Sequence, residues 1–478
     1  MMSAGSQQDQ PCSSSTRSEE VRLLGGAFAT AESNGFAAAS ALSRASGYEA
    51  LIKMTTSCNL RCSYCYDRRG RERRPTVTKM SRKLAIRIID ELACLSTPAV
   101  TISCHGGEPL LNLSCIREMV QYIKTGGARG RRFRFCIITN GTIMSEEVAE
   151  FLKEYRFSVG ISVDGCDAKH NQCRWSPARD MLPVIERNMD VLHARGIHPG
   201  FIAVLTRRNC RDMVRICGWL DRWQAPSFRL ILPDLQGPRD PALYDLVPSE
   251  DEICRAYGDV AASLIEINRH RQPAQRLAEL HLQAMARLIL NGRRQGCCGQ
   301  PCDAGRAKAV FDVDGNVYLC DNVPKQSEYC LGNLWSESLE DMLKASNPVL
   351  QAFSSRNTSR IAECMSCAWR FLCVGGCPGM SATFGGGLER PDPYCGVYKR
   401  LYAALLSYYR SGTLHWLLGD NRMFPYISRG YTPQGADTTS ASDNNPQPRQ
   451  PQRDHVTGSS QDQRSATVTH HSNKVQKP

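Results

Sequence analysis

Two features that would place a chain in or across a membrane are missing from this sequence of 478 residues. There is no apolar run of the roughly 18–20 residues that a membrane-spanning helix needs. The first twenty residues, MMSAGSQQDQPCSSSTRSEE, do not show the basic and then apolar pattern of a secretory signal. We therefore expect a cytoplasmic protein that does not contact a membrane.

A strong charge bias is missing as well. Lys and Arg number 59 and Asp and Glu number 47, so the formal net charge is +12. Composition alone does not show whether this positive charge lies on one face of the protein. The charge therefore permits an acidic partner but does not establish one. Apolar residues make up 42% of the chain, which indicates a globular protein rather than a disordered one. A nucleic-acid partner is therefore not our first expectation.

Cysteine, by contrast, is abundant. The chain contains 23 cysteines, an odd number, and lacks the signal pattern of an exported protein. A secreted framework of disulfides is therefore excluded as the main reason for so many thiols. Reduced thiols that bind metal or take part in catalysis are the better interpretation, and their spacing decides between them.

Between residues 49 and 235, the apolar pattern changes from strand period to helix period six times. Phe133, Phe135 and Ile137, for example, alternate and end at a Thr-Asn-Gly turn, and Ser145 then fits the N-cap of a helix. Six βα units in sequence predict a parallel sheet with helices outside, either a partial (β/α)6 barrel or a doubly wound sheet. Ligands of such sheets bind at the carboxyl ends of the strands.

Composition divides the chain into five segments. The first segment has little periodicity and the last is almost entirely polar, so we expect a loosely ordered start and a disordered tail. The predicted segments are 1–47 (loosely ordered), 48–235 (α/β core), 236–296 (helical connection), 297–418 (small cysteine-rich domain with a closing helix) and 430–478 (disordered tail).

A first cysteine cluster follows the first predicted strand, where Cys58, Cys62 and Cys65 have the spacing C-x3-C-x2-C. Three thiolates on one tight loop can hold three irons of a cubane cluster, whereas ordinary iron–sulfur electron carriers use four cysteines. The fourth iron then stays open to a reactant, as the open position of a catalytic zinc does. The alternatives are a zinc loop without its fourth ligand, or three buried thiols without a ligand.

With an aromatic residue directly before Cys65, this loop resembles that of the radical SAM superfamily, and the resemblance covers about residues 49–235. It implies a partial barrel and a 4Fe–4S cluster held by Cys58, Cys62 and Cys65. In that family the open iron binds S-adenosylmethionine, and one electron yields a 5′-deoxyadenosyl radical that abstracts a substrate hydrogen. It also implies an external one-electron reductant, such as a flavodoxin-like or ferredoxin-like protein.

Other residues that match the family lie where predicted strands end. Residues 105–109, His-Gly-Gly-Glu-Pro, are similar to the GGEP element that binds the methionine amino group. Residues 162–165, Ser-Val-Asp-Gly, with His170 and Arg174, are similar to the S-x-D-G…H-x-x-x-R pattern of peptide- and protein-modifying members. Without the resemblance these residues would read as turns and a surface arginine. The cofactor contacts that it implies are His105, Gly106, Gly107, Glu108, Asn140, Ser162, Asp164 and Arg174.

A second set of cysteines lies between residues 297 and 396. Its spacing is C-x12-G-x4-C and then C-x2-C-x5-C-x3-C, with one further cysteine. This pattern looks like the SPASM extension of radical SAM proteins, which implies two auxiliary 4Fe–4S clusters; structural zinc sites are the alternative. One cluster would use Cys302, Cys320, Cys377 and an earlier cysteine, either Cys297 or Cys298, with Cys297 preferred. The other would use Cys364, Cys367, Cys373 and Cys395.

The resemblance implies a maturase, an oxidoreductase that modifies a peptide or protein side chain. Asp321 directly follows Cys320, as does the proposed base of anaerobic sulfatase-maturating enzymes, although it could equally cap a turn. Residues 105–111 look closer to enzymes that cross-link ribosomally made peptides. We expect such a cross-linking enzyme, with a formylglycine-generating sulfatase maturase as the alternative. A non-catalytic, zinc-organised, nucleic-acid-binding protein is the distant alternative.

Overall fold

The structure, a computed structural model, covers most of the predicted core and cysteine-rich segments. It describes residues 47–65, 67, 79–127, 130–174, 180–233, 245–292, 302–323 and 327–419. The predicted disordered tail, nearly all of the predicted lead-in, and both Cys297 and Cys298 lie outside the described residues. The described residues fall within one compact unit, Met1–Gly430.

Ten described strands form one sheet. They are β1 (Tyr48–Thr55), β2 (Val100–Gly106), β3 (Phe133–Thr139), β4 (Ser158–Ser162), β5 (Gly200–Val204), β6 (Ser227–Ile231), β7 (Ala278–Glu279), β8 (Lys308–Phe311), β9 (Asn316–Tyr318) and β10 (Cys330–Asn333). Their order in the sheet is β10-β9-β8-β1-β2-β3-β4-β5-β6-β7. Strands β1 to β6 are parallel neighbours, so their carboxyl ends share one edge.

Helices connect the parallel strands and dominate the remainder. They are α1 (Arg82–Cys94), α2 (Leu113–Tyr122), α3 (Glu146–Glu154), α4 (Ala168–Asn171), α5 (Leu182–His193), α6 (Met213–Arg222), α7 (Glu250–Asn268), α8 (Leu280–Asn291), α9 (Leu339–Met342), α10 (Pro348–Ser354), α11 (Ala362–Met365), α12 (Arg370–Cys373), α13 (Pro378–Phe384) and α14 (Cys395–Arg410). Ser145 caps α3 by accepting from the backbone N–H of Val148, as expected. Ser249 and Glu252 form a capping box at the start of α7.

The sheet is buried, as a parallel sheet between helices should be. All eight residues of β1 are buried, and Ile52, Ile102 and Ile161 lie in one continuous apolar core. Within the described residues, no helix is both long enough and apolar enough to cross a membrane.

The predicted α/β class, with six parallel strands in chain order, is confirmed. Two details differ from the sequence analysis. Strand β8, from the cysteine-rich region, pairs in parallel with β1, so the sheet continues into that region. The apolar spacing of residues 398–418 predicts the closing helix there; the helix runs instead from Cys395 to Arg410, which places one motif cysteine on its first turn.

Candidate functional site

The first cysteine loop leaves the carboxyl end of β1. The backbone N–H of Leu60 donates to the Cys58 sulfur at 3.4 Å, and the N–H of Cys65 donates to the carbonyl of Cys62 at 3.2 Å. These bonds fold the three predicted ligands onto one turn. Beyond the turn, Asp67 pairs with the buried ammonium of Lys53 in β1 at 2.6 Å. The loop is therefore tied to the sheet at both of its ends.

The glycine pair after β2 lies against this loop. The N–H of Gly107 donates to the carbonyl of Thr55 at 2.8 Å. A Cβ on Gly106 would lie 2.4 Å from the Thr55 carbonyl oxygen, and one on Gly107 would lie 2.0 Å from that of Ser57. Only glycine fits here, because the backbone of the cysteine loop occupies the space of a side chain. The close approach that these glycines permit is therefore between two chain segments.

Glu108 is fully buried at the centre of a polar network. Its carboxylate accepts from the backbone N–H of Asn140 at 2.8 Å and from the hydroxyl of Thr139 at 2.8 Å. The N–H of Leu110 is a third donor at 3.2 Å. Burial raises the pKa of Glu108 to about 7, although these hydrogen bonds oppose the shift. The carboxylate is thus positioned by the protein and poised to change charge near neutral pH.

Asn140 connects this network to the cysteine loop. Its side-chain amide donates to the side-chain oxygen of Asn59 at 2.8 Å and lies 3.8 Å from the Cys58 sulfur. The left-handed turn position belongs to the following residue, Gly141, whose φ is 74°. The Asn140 side-chain oxygen also accepts from the backbone N–H of Thr142 at 2.9 Å, so the side chain both forms the turn and links it to the cysteine loop.

Asp164 and Arg174 contact each other. Arg174 Nη2 lies 2.9 Å from Asp164 Oδ1, and both side chains are buried. The backbone N–H of Val204 also donates to Oδ1, and the hydroxyl of Tyr64 donates to Oδ2. Burial is the largest single influence and works to lower the pKa of Arg174, but the nearby Asp164, Tyr64 and Cys62 together outweigh it, so the pKa is raised and the guanidinium stays charged. The pair is a fixed ionic element beside the loop.

The Arg174 segment also contacts the cysteines directly. The Cys62 sulfur lies 3.4 Å from the Arg174 carbonyl oxygen, and the N–H of Ser63 donates to the Cys173 carbonyl at 2.8 Å. Two other predicted contacts, His105 in β2 and Ser162 at the end of β4, are half-buried at the same edge of the sheet. The structure thus brings together the eight predicted cofactor contacts and the first three cysteines.

Four cysteines of the second set form one group. The thiols of Cys364, Cys367, Cys373 and Cys395 are close enough that the charge of one affects the ionisation of others. Cys364 and Cys367 flank the end of α11, Cys373 ends α12 and Cys395 begins α14. This is the grouping that the resemblance implied for one auxiliary cluster.

Asn322 connects two members of the other predicted group. Its backbone N–H donates to the Cys320 sulfur at 3.3 Å, and its side-chain amide lies 3.7 Å from the Cys377 sulfur. Cys302 shows the same backbone arrangement, because the N–H of Ala304 lies 3.5 Å from its sulfur. The fourth member, Cys297 or Cys298, lies outside the described residues.

Asp321, the predicted base, is about one third exposed and pairs with Lys308 of β8, whose ammonium lies 3.4 Å from its Oδ1. The lysine is largely buried and comes from the strand that pairs with β1. The pair fixes the direction of the carboxylate next to Cys320.

Sequence reasoning missed Arg356, which is buried and donates to three successive carbonyls, those of residues 374–376, at 2.6–3.5 Å. The same three residues have left-handed backbones, with φ of 50°, 80° and 75°. They connect Cys373 to Cys377, so Arg356 holds the link between the two cysteine groups. Gly375 and Gly376 are typical of such a turn, but no sequence pattern predicts that Arg356 binds it.

The first site suits an iron–sulfur cluster with S-adenosylmethionine. Three cysteines lie on one loop, and the Cys58 sulfur receives an N–H donor, as cluster ligands do. Among the described residues, Nε of Arg174 is buried without a hydrogen-bond partner. A buried donor of this kind is costly unless something else accepts from it, such as a carboxylate.

Comparison with known families gives two matches. Residues 52–220 match the radical SAM superfamily, and residues 302–368 match the SPASM family, described as an iron–sulfur cluster-binding domain. The chain therefore carries a radical SAM domain followed by a SPASM domain. These matches favour the enzyme over the zinc-organised nucleic-acid binder.

Curated relatives align with about two thirds of the chain. A serine-type anaerobic sulfatase-maturating enzyme of Bacteroides thetaiotaomicron is 25% identical over 342 residues, or 67% of this chain and 80% of the relative. A cysteine-type anaerobic sulfatase-maturating enzyme of Clostridium novyi is 25% identical over 336 residues, or 68% of this chain and 87% of the relative.

Solved structures share the fold. One, of anSMEcpe with bound AdoMet, is 19% identical and covers 79% of this chain and 97% of that chain, with a TM-score of 0.67. Streptococcus suis SuiB bound to S-adenosylmethionine is 16% identical and covers 73% of this chain and 77% of that chain, with a TM-score of 0.52. The expected radical SAM fold is thereby confirmed.

Proposed function

We propose that this radical SAM/SPASM enzyme is a maturase that oxidises a side chain of a peptide or protein. When bound, a 4Fe–4S cluster and S-adenosylmethionine supply a 5′-deoxyadenosyl radical that removes a substrate hydrogen. The observation that carries the proposal is the shared edge of the sheet, where the cysteine loop, Glu108, Asn140 and the Asp164–Arg174 pair meet.

Each residue has a role that follows from its contacts. Cys58, Cys62 and Cys65 would hold three irons and leave the fourth for the amino acid part of S-adenosylmethionine. Glu108 would accept from the ammonium group, and the fixed cation of Arg174 would offer its unused Nε to the carboxylate. The buried walls of the network would exclude water from the reacting atoms.

The second cysteine set would carry two auxiliary clusters, one on Cys364, Cys367, Cys373 and Cys395, the other on Cys302, Cys320, Cys377 and an undescribed cysteine. Asp321 would take a proton from the substrate side chain, with Lys308 holding the carboxylate in position. The auxiliary cluster next to Asp321 would supply an acceptor for one electron, and an external one-electron reductant would serve the first site.

The substrate class that we favour is the sulfatase type, in which a serine or cysteine side chain is oxidised to formylglycine. The Cys320–Asp321 pair and the names of the curated relatives support it. Cross-linking of a ribosomally made peptide is the second candidate, because residues 105–111 resemble those of cross-linking maturases.

The test uses anaerobically purified, cluster-loaded full chain with dithionite and S-adenosylmethionine. About twelve irons per chain are expected from three cubanes. We expect 5′-deoxyadenosine from the wild type and only background from C62A, with C94A as the control, because Cys94 is an exposed cysteine outside both motifs. Equal yields from wild type and C62A would refute the function.

Substrate class is tested with two peptides, one from a sulfatase with the target serine or cysteine, and one rich in cysteine and aromatic residues. Formylglycine forms an adduct with a hydrazide probe, whereas a cross-link does not. We expect D321N to keep cofactor cleavage and lose product. Product from D321N at the wild-type rate would remove Asp321 from the mechanism.

A further inference from the structure

A group of ionisable side chains that the proposed function does not use lies just after β4. We call it the Cys166 cluster; its members are Cys166, Asp167, His170, Asp212 and Arg215. In the part of the chain that the structure describes, Cys166, Asp167 and His170 are the one set of three Cys, His, Asp or Glu residues whose ligand atoms all lie within 4.8 Å of one another.

The cluster has the order nucleophile, base and orienting carboxylate. The Cys166 sulfur lies 3.8 Å from Nδ1 of His170, whose Nε2 lies 3.0 Å from Oδ2 of Asp212. Because Asp212 accepts from Nε2, the other ring nitrogen faces the sulfur. His170 is fully buried, whereas Cys166 is partly exposed. A small reactant can therefore reach the sulfur but not the imidazole behind it.

The surrounding backbone fixes this arrangement. The N–H of His170 donates to Asp167 Oδ1 at 2.9 Å, and Asn171 donates to the carbonyl of Gly165 at 2.8 Å. Gly165 has a φ of 153°, and a Cβ at this position would lie 2.6 Å from His170 Nδ1. The loop from Asp164 to His170 is thus held close to the imidazole, with no space for a larger residue at position 165.

The charges decide what the cluster does. Arg215 Nε donates to the Cys166 sulfur at 3.3 Å, and its Nη2 contacts Asp167. Lys169 lies 3.5 Å from Asp212. A Cys166 thiolate and the two aspartates, three negative charges, would balance Lys169, Arg215 and a protonated His170. A divalent metal ion would add charge to a group that is already balanced.

The direction of the pKa shifts agrees with this balance. Burial works to raise the pKa of the Cys166 thiol, but its hydrogen bonds with His170 and Arg215 outweigh burial and lower the pKa. Burial works to lower the pKa of His170, but its contacts with Cys166, Asp212 and Asp167 outweigh burial and raise it. Both shifts favour a thiolate beside an imidazolium.

We propose that Cys166 is a nucleophilic thiolate and a site of modification by hydrogen peroxide. The sulfur attacks one peroxide oxygen, the S–O bond forms and the O–O bond breaks. Sulfur loses two electrons and becomes a sulfenic acid. The other oxygen leaves as hydroxide and takes a proton from solvent to become water, while His170 stays protonated behind the sulfur. Arg215 stabilises the thiolate before attack. This inference does not depend on the substrate of the enzyme.

The first test measures thiol reactivity in the anaerobic, cluster-loaded full chain. Iodoacetamide is applied briefly between pH 5 and 9, and labelled peptides are quantified by mass spectrometry. At pH 7 we expect Cys166 to react about tenfold faster than the exposed Cys94 in the same sample, with a midpoint below the usual thiol value of about 8.5. Equal rates for the two cysteines would overturn the proposal.

Variants separate reactivity from folding. Arg215 is 58% exposed, so R215M should fold and should slow labelling of Cys166 at pH 7 severalfold while Cys94 is unchanged. R211M, which removes an exposed arginine that pairs with Glu252 outside the cluster, is the matched control and should leave the Cys166 rate unchanged. An unchanged Cys166 rate in R215M, or equal loss in both variants, would refute the role of Arg215 and with it the thiolate.

The second test adds a small excess of hydrogen peroxide with dimedone, a probe for sulfenic acids, and locates the adduct by peptide mass. We expect the adduct on Cys166 before Cys94, and less of it in R215M. The metal alternative is tested with Zn²⁺ alone. Stoichiometric Zn²⁺ that protects Cys166 in wild type but not in H170Q would overturn the proposal in favour of a metal site.

Discussion

The two cysteine regions are built in different ways. The first places three cysteines within eight residues at the end of a buried strand, and side chains from four strand ends bond to one another around it. The second spreads its described cysteines from residue 302 to residue 395 over short helices and turns. In the second region, one buried arginine supplies many of the contacts between these turns.

This difference in construction indicates that protein contacts alone hold the first site in place, whereas the second region depends more on its clusters. Around the first loop, Glu108 and Asp164 have protein donors for their oxygens, so the polar network holds its geometry without a cofactor. In the second region, short helices of four residues contribute little stability of their own. Its clusters would therefore act as cross-links as well as electron carriers.

The largest loss of stability is expected from R356M, which should destabilise only the second cysteine region. Arg356 donates to five backbone carbonyls and to the hydroxyl of Ser381, so its loss leaves buried acceptors without donors. We expect a loss of about 5 kcal/mol of stability in that region and of its iron. Denaturant unfolding measures the loss of stability, and iron analysis measures the loss of iron.

The control is R360M, at an exposed arginine nearby, which should change stability by less than about 0.5 kcal/mol. If R356M also lost iron from the first region, the two regions would not be independent in stability, and the comparison above would be wrong.

The second-largest loss of stability is expected from R174M, in the first cysteine region. It leaves Asp164 buried without its cation and should destabilise the fold by about 3 kcal/mol, measured by denaturant midpoint. The double variant D164N/R174M should recover part of this loss, because the buried charge is gone. If R174M is as stable as the wild type, the first network is not self-supporting.

A smaller effect concerns the pH dependence of the first region. Burial raises the pKa of Glu108 from 4.5 to about 7, so the folded chain holds a proton that the unfolded chain releases between these values. Stability should fall as pH rises through this window, by at most about 3 kcal/mol at about 1.4 kcal/mol per pKa unit. Buried Glu279 shifts in the same direction, so the measurement is the difference between wild type and E108Q. If the free energy of unfolding depended on pH equally in wild type and E108Q, Glu108 would not be the group responsible for this pH dependence.

The smallest effect should come from S249A, which lies outside both cysteine regions. It removes the capping box at the start of α7 and should cost about 1 kcal/mol in denaturant unfolding, with the iron content of both regions unchanged. A loss of iron from either region would show that iron binding follows general stability rather than local construction.

The parts of the fold that local periodicity controls were predictable. Strands β1 to β6 and the Ser145 cap follow from apolar spacing and capping chemistry, whereas the grouping of the thiols was implied by the family resemblance. The pairing of β8 with β1 was not predictable, because it depends on two short segments about 260 residues apart.

The role of Arg356 was also hidden from the sequence. Five of its acceptors are backbone carbonyls, which every residue carries, so no side-chain pattern marks them. The Cys166 cluster was missed for a related reason: Cys166, His170 and Asp212 meet only because α6 packs beside the loop after β4.

The pairing of β1 with β8 also has a consequence for synthesis on the ribosome. The first strand leaves the exit tunnel long before residues 308–311 exist, so one of its edges has no neighbour while most of the chain is made. Unpaired edges invite association with other chains. A nascent chain stalled before residue 308, or a truncation there, should therefore need a chaperone to stay monomeric.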